Sequence, residues 1–155
     1  MNATRWEWLD QIEAVDAGGL SATASFPPHR YPADDHFPGT PCVPGVLLLE
    51  AMAQAAGWWV AAQEAFTGKC LLAGIDEARF RQPALPGQPV QVQVTGLPAD
   101  GSRRAARCRL TRHPHTIATA LIALRFFRFD DPQTPWRPPC NAEWLRTRFH
   151  QLRHP

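Results

Sequence analysis

Two residues of this chain are suited to moving protons, His36 and Glu50. His36 heads the loop His36-Phe37-Pro38-Gly39, braced by Pro41 and Pro44. Glu50 lies in VLLLEAMAQAAGWWVAA, residues 46–62, where only Glu50 and Gln54 carry polar side chains. Four residues apart, they share one face of a helix. A helix that is apolar nearly all round is a buried helix, and burying a carboxylate costs several kcal/mol. In such surroundings a carboxyl keeps its proton to higher pH, while an imidazole titrates near neutrality. The pair therefore suits general acid–base chemistry. Gly45 opens the same helix, where backbone N–H groups lack intrahelical acceptors and the dipole is positive. A donor there would polarise a thioester carbonyl and stabilise enolate charge on its oxygen. Base, acid and oxyanion donor together suit removal of a proton beside a carbonyl with loss of a β-hydroxyl.

His36 and Glu50 cannot meet on one helix, because His36 precedes it across a loop. Either that loop folds back or a second subunit brings them together. The neighbouring elements follow from pattern. Residues 5–15 and Leu20–Phe26 read as a hairpin about the turn Asp16-Ala17-Gly18-Gly19. Residues 27–44 hold six prolines and two histidines, which excludes regular structure. Pro44 is placed to start the helix, which is expected to run to about Phe66 and stop at Thr67-Gly68. Strands are expected at Cys70–Ile75, at the alternating Val90–Val94, at Arg103–Thr111 and at Thr116–Phe129, with a turn at His113-Pro114-His115. Residues 131–139 are proline-rich, and residues 140–155 suggest a short surface helix. The whole predicts an α+β fold, a curved antiparallel sheet around one long helix.

The run from His36 to Gln54, HFPGTPCVPGVLLLEAMAQ, resembles the signature of bacterial (3R)-3-hydroxyacyl-[acyl-carrier-protein] dehydratases of the FabZ type. A second stretch agrees: LAGIDEARFRQP at residues 72–83, then Leu85-Pro86-Gly87. The resemblance covers roughly residues 7–129. It implies a hot-dog domain over 1–130, with 131–155 as a C-terminal extension. It further implies a homodimer whose sites are shared between subunits, with three dimers sometimes forming a hexamer. By this likeness His36 removes the α-proton and Glu50 protonates the leaving hydroxyl. The Gly45 amide holds the thioester oxygen, Phe37 contacts substrate, and Gln54 orients Glu50. The acyl chain occupies an apolar tunnel at the dimer interface. No metal or organic cofactor is implied beyond the phosphopantetheine arm of acyl carrier protein. The related dehydratase-isomerases usually carry Asp at the acidic position, so Glu50 favours plain dehydration. The tail beyond Asp130, with Trp136 and Trp144, looks atypical for the family, and two further features depart from it. Asp34-Asp35 precede His36, and Pro28-His29-Arg30-Tyr31-Pro32 resembles a family segment found elsewhere in the order, which reads as chance.

The bulk composition agrees with a globular chain: 155 residues, 45% hydrophobic and 19% charged. A net charge of +2 gives no support to a nucleic-acid role. The basic residues are fifteen Arg and one Lys, with thirteen Arg from Arg79 onward. Arg79 and Arg81 could meet an acidic carrier protein or simply be solvated. Phe126, Phe127 and Phe129 beside Arg125 and Arg128 could stack on bases, but an ordinary strand explains them better. His113-x-His115 lacks the companions of a metal site, and the other histidines read as surface residues. The four cysteines show no zinc-type spacing, and the N-terminus has no apolar leader, so reduced thiols in a cytoplasmic setting are expected. The apolar run is near the lower length of a membrane span, but Glu50 and Gln54 argue for a core helix. A hot-dog thioesterase and a non-catalytic, carrier-binding subunit of a dehydratase complex are the alternatives.

Overall fold

The computed structural model describes residues 6–134 and 140–155, without the side chain of Asp34. Trp136 and its neighbours in the proline-rich stretch lie outside the described residues, as do residues 1–5. The helix α1, Gly45–Gln63, runs through a six-stranded antiparallel sheet. Its strands are β1 Leu9–Val15, β2 Gly19–Ala24, β3 Gly68–Phe80, β4 Val90–Gly96, β5 Arg103–Arg112 and β6 His115–Arg128, in the spatial order β1-β2-β4-β5-β6-β3. A second helix, α2, spans Ala142–Arg153.

The two periodicities of the sequence meet in the core. Leu48, Ala51, Met52, Ala55, Ala56, Trp59 and Val60 form the buried stripe of α1. They pack on alternate residues of three strands, Leu20, Ala22 and Ala24 of β2, Val90, Val92 and Val94 of β4, and Ala106, Cys108 and Leu110 of β5, and on Ile122 and, at a break in register, Ile117 of β6. Burying each larger aliphatic side chain is worth roughly 1.5–3 kcal/mol. The alanines of α1 let the sheet close tightly on the helix. By length and composition α1 could cross a membrane, but here the sheet curves around it.

The helix stops three residues earlier than expected. Ala65 and Phe66 adopt left-handed backbone conformations, φ 49° and 60°, and the Phe66 N–H donates to the Ala61 carbonyl. This is a helix-ending motif that normally favours glycine. Here α2 holds it, since Arg146 donates to the Ala65 carbonyl and Phe149 packs 5.1 Å from the Phe66 ring. Helix α2 is therefore docked rather than loosely superficial. Leu145 and Leu152 are buried, and Arg148 makes a two-pronged ion pair with Glu7 at 2.7 and 2.8 Å. Asn141 caps its first turn through Trp144 N–H.

Residues 27–44 also hold more regularity than their prolines suggested. Pro28–Arg30 and Ala33–Asp35 form short 3₁₀ turns, which suit the fixed φ of proline. The segment that read as a chance likeness packs under the site loop, with Tyr31 edge-on to Trp8 and Arg30 over the Trp8 ring. The cations and rings near the end of β6 partner one another. Arg125 lies over Phe127, Arg104 over Phe126, and Arg128 pairs with Asp130.

Candidate active site

The loop before α1 is stapled at both ends. Cys42 N–H donates to the His36 carbonyl at 2.8 Å, and Val43 N–H to the Ala84 carbonyl at 2.8 Å. His36 Nδ1 lies 3.3 Å from the Cys42 carbonyl and 3.4 Å from Cys42 Sγ. With its proton on Nδ1 the ring can donate to that carbonyl and keep its lone pair on Nε2; with the proton on Nε2 the Cys42 thiol can donate to Nδ1. The Phe37 ring stacks on the imidazole at 4.5 Å, and the His36–Phe37 peptide is cis. Tyr31 lies near Cys42; burial, and next that thiol, push its hydroxyl's pKa upward, and the hydroxyl has no hydrogen-bond partner.

Gly45 faces the same space. A Cβ there would come within 2.9 Å of the Phe80 ring, so only glycine allows Phe80 to lie over the helix start. Pro44 precedes it and no side chain caps this end. His36, Cys42, Gly45, Val46, Phe80 and Arg81 line a cavity of about 520 Å³. Arg81 thus stands at this cavity, whereas Arg79 is held by Glu77.

Glu50 lies elsewhere. With Gln54, Trp58, Leu71, Leu72 and Trp144 it lines a second cavity of about 500 Å³. Gln54 donates to Glu50 Oε1 at 2.9 Å, the contact that the four-residue spacing allows. Gln54 itself is fixed by the chain before β1: its Nε2 donates to the Trp6 carbonyl, and its Oε1 accepts from Trp8 N–H at 3.0 Å. Nothing in the motif announced these backbone partners. The full burial expected of Glu50 is not reached within one chain, where it is half-buried. The reason is local: the helix face bearing it is uncovered, and Val46 is 69% exposed. One chain therefore holds the His36 imidazole and the start of α1 in one cavity, and the Glu50 carboxylate with Gln54 in another.

A family model described as a FabA-like domain matches residues 5–119. The chain belongs to the FabA-like family. Among relatives, it is 37% identical over 131 residues to the 3-hydroxyacyl-[acyl-carrier-protein] dehydratase FabZ of Rhizobium rhizogenes, covering 81% of each chain. Other FabZ matches span about half the length of the relative, 42%, 58% and 48% in three cases. Among solved structures, the dehydratase heterocomplex ApeI:P from Xenorhabdus doucetiae superposes with TM-score 0.65 at 15% identity, covering 83% of this chain and 88% of that one. A thioesterase from Haemophilus influenzae does so with TM-score 0.63 at 11% identity, covering 79% and 81%. The fold is the hot-dog fold. Within this FabA-like chain, α1 is its central helix and the matched region ends inside β6, before α2 begins.

Proposed function

We propose that the protein dehydrates (3R)-3-hydroxyacyl thioesters carried on acyl carrier protein, giving trans-2-enoyl thioesters, in fatty-acid or related polyketide or polyene synthesis. The observation that carries this reading is the His36 imidazole, able to donate from Nδ1 to the Cys42 carbonyl, beside an uncapped helix start in one cavity. His36 Nε2 takes the α-proton. The Gly45 N–H holds the carbonyl oxygen as enolate charge develops. Phe37 stacks behind the imidazole and keeps its plane. Glu50, oriented by Gln54, gives a proton to the leaving hydroxyl, which departs as water.

A two-fold dimer would unite the half-sites, His36 of one chain meeting Glu50 of its partner. Leu71, Leu72, Ile75 and Phe80 are exposed on β3, an edge strand whose free ladder invites pairing with a second copy. Further assembly of three dimers is compatible with that contact. Arg81 at the His36 cavity, with Arg79 nearby, suits the acidic surface of the carrier, whose phosphopantetheine arm delivers the substrate. The reaction so drawn moves two protons, breaks the Cβ–O bond and forms the Cα–Cβ double bond with the electron pair left by the α-proton, and it calls for no resident metal. A cytoplasmic setting, where the four free thiols stay reduced, goes with it.

The test is turnover of (3R)-3-hydroxyacyl thioesters of several chain lengths, followed by ultraviolet absorbance of the conjugated enoyl product. Enoyl formation is expected, without release of free thiol. Thiol release without enoyl product would make the protein a thioesterase. Carrier binding without either product would make it an accessory subunit.

A further inference from the structure

The cavity beside Glu50 has a wall built from outside the matched family region. Trp144 and Leu145 of α2 line it, together with Glu50 and Ala61 of α1 and Leu71 and Leu72 of β3. From Glu50 to Ala61 the helix advances roughly 16 Å, so the cavity follows α1 as a mainly apolar trough, with Glu7 and Lys69 also on its lining. The end at which α2 stands is fixed by contacts. Phe80, the last residue of β3, lies over Gly45 at the start of α1. Lys69, near the first residue of β3, therefore lies by the other end of α1, and its ammonium sits 5.2 Å from the Trp144 ring centroid. The acid is at one end of the trough and α2 is at the other.

We propose that α2 is the end wall that sets the longest acyl chain the enzyme accepts, with Trp144 and Leu145 stopping its terminal methyl group. This inference rests on the dehydratase reading above. Each methylene laid in the trough tightens binding by roughly fourfold. Behind Leu145, further carbons meet firm packing. Leu145 is buried, Arg148 is clamped to Glu7, and Phe149 packs between Trp58 and Phe66. The Trp144 ring is partly exposed, so its truncation opens the trough without removing the core of α2.

The test compares kcat/KM for 3-hydroxybutyryl, 3-hydroxydecanoyl and 3-hydroxypalmitoyl pantetheine thioesters in the full chain and in Trp144→Ala, Trp144→Phe and Arg146→Ala. Trp144→Ala is expected to raise the long-to-short ratio by about tenfold or more, the scale at which a pocket discriminates methylenes. Trp144→Phe should restore much of the native ratio. Arg146→Ala, which touches Ala65 and Phe66 rather than the cavity, should leave the ratio unchanged. An unchanged ratio in Trp144→Ala, or an equal shift in Arg146→Ala, overturns the proposal. A second readout needs no turnover. A decanoyl-pantetheine thioether with a terminal diazirine, photolysed on the wild-type protein, should label Trp144, Leu145 or residues 69–72. Labelling elsewhere, or none, overturns the wall. Absence of turnover with every thioester would instead sink the dehydratase reading, with the label still deciding where an acyl chain lies.

Discussion

Gln54 divides its amide among three partners: the Glu50 carboxylate, the Trp6 carbonyl and the Trp8 N–H. It holds the acid by tying α1 to the chain that enters β1. Gln54→Leu would leave that carbonyl and N–H without their side-chain partner. Urea denaturation should show a loss of about 0.5–1.5 kcal/mol, the net worth of a hydrogen bond whose freed partners can reach water. On the proposed mechanism its kcat should fall more than its KM rises, because Glu50 is misdirected while the rest of its cavity remains. The thiols give a separate check on packing. Burial pushes Cys70 and Cys108 up to about 12, so both stay protonated at mildly alkaline pH, and a neutral thiol is a poor nucleophile. Iodoacetamide on the folded protein should leave both unmodified, as peptide mass mapping would show, and should modify both in denaturant. Modification of Cys108 in the folded state would contradict the core described here.

At the scale of elements, the sequence was most readable where periodicity was strong. The alternating valines of β4 and the apolar run of α1 lie where period two and period 3.6 put them. The end of α1 was less readable. Gly68 is the obvious stop, yet the chain turns at Ala65 and Phe66 because a distant helix, α2, supports that turn. No local signal carries such a contact. Gly68 instead serves the sheet, because a Cβ there would strike the Phe127 carbonyl where β3 meets β6. Gly96 is a second close approach, since its Cβ would fall 2.1 Å from the Trp59 ring, whose indole N–H donates to the Asp16 carbonyl. Gly96→Ala should therefore cost about 1–3 kcal/mol, the range of overpacking a filled core, visible as a lowered thermal midpoint. The docking of α2 was hidden for the same reason. Its buried Leu145 and Leu152 are ordinary in a short helix, and only the tertiary contacts with Glu7, Trp58 and Phe66 show what they cover.

Over the whole molecule, the divided site is the feature that a single sequence expresses least. The motif carries His36, Gly45, Glu50 and Gln54 in order, but chain order does not say that one fold places them in two cavities. The uncovered apolar residues supply the missing argument. Val46 on α1 and Leu71, Leu72, Ile75 and Phe80 on β3 stand exposed around those half-sites, an arrangement that a second copy would bury. On the proposed dimer, Ile75→Asp should sediment as a folded monomer, with native circular dichroism and little turnover. A variant that stays dimeric and active would place the contact elsewhere.

The most direct test of the divided site is complementation between two dead variants. His36→Ala and Glu50→Ala should each lower kcat by roughly 10²–10⁴-fold, the usual worth of a positioned acid or base. Unfolded together and refolded as a mixture, they should regain a substantial part of the wild-type rate, because a mixed dimer contains one intact pair. A mixture no more active than its two components, with mixed dimers demonstrated by native mass spectrometry, would contradict a site shared between subunits.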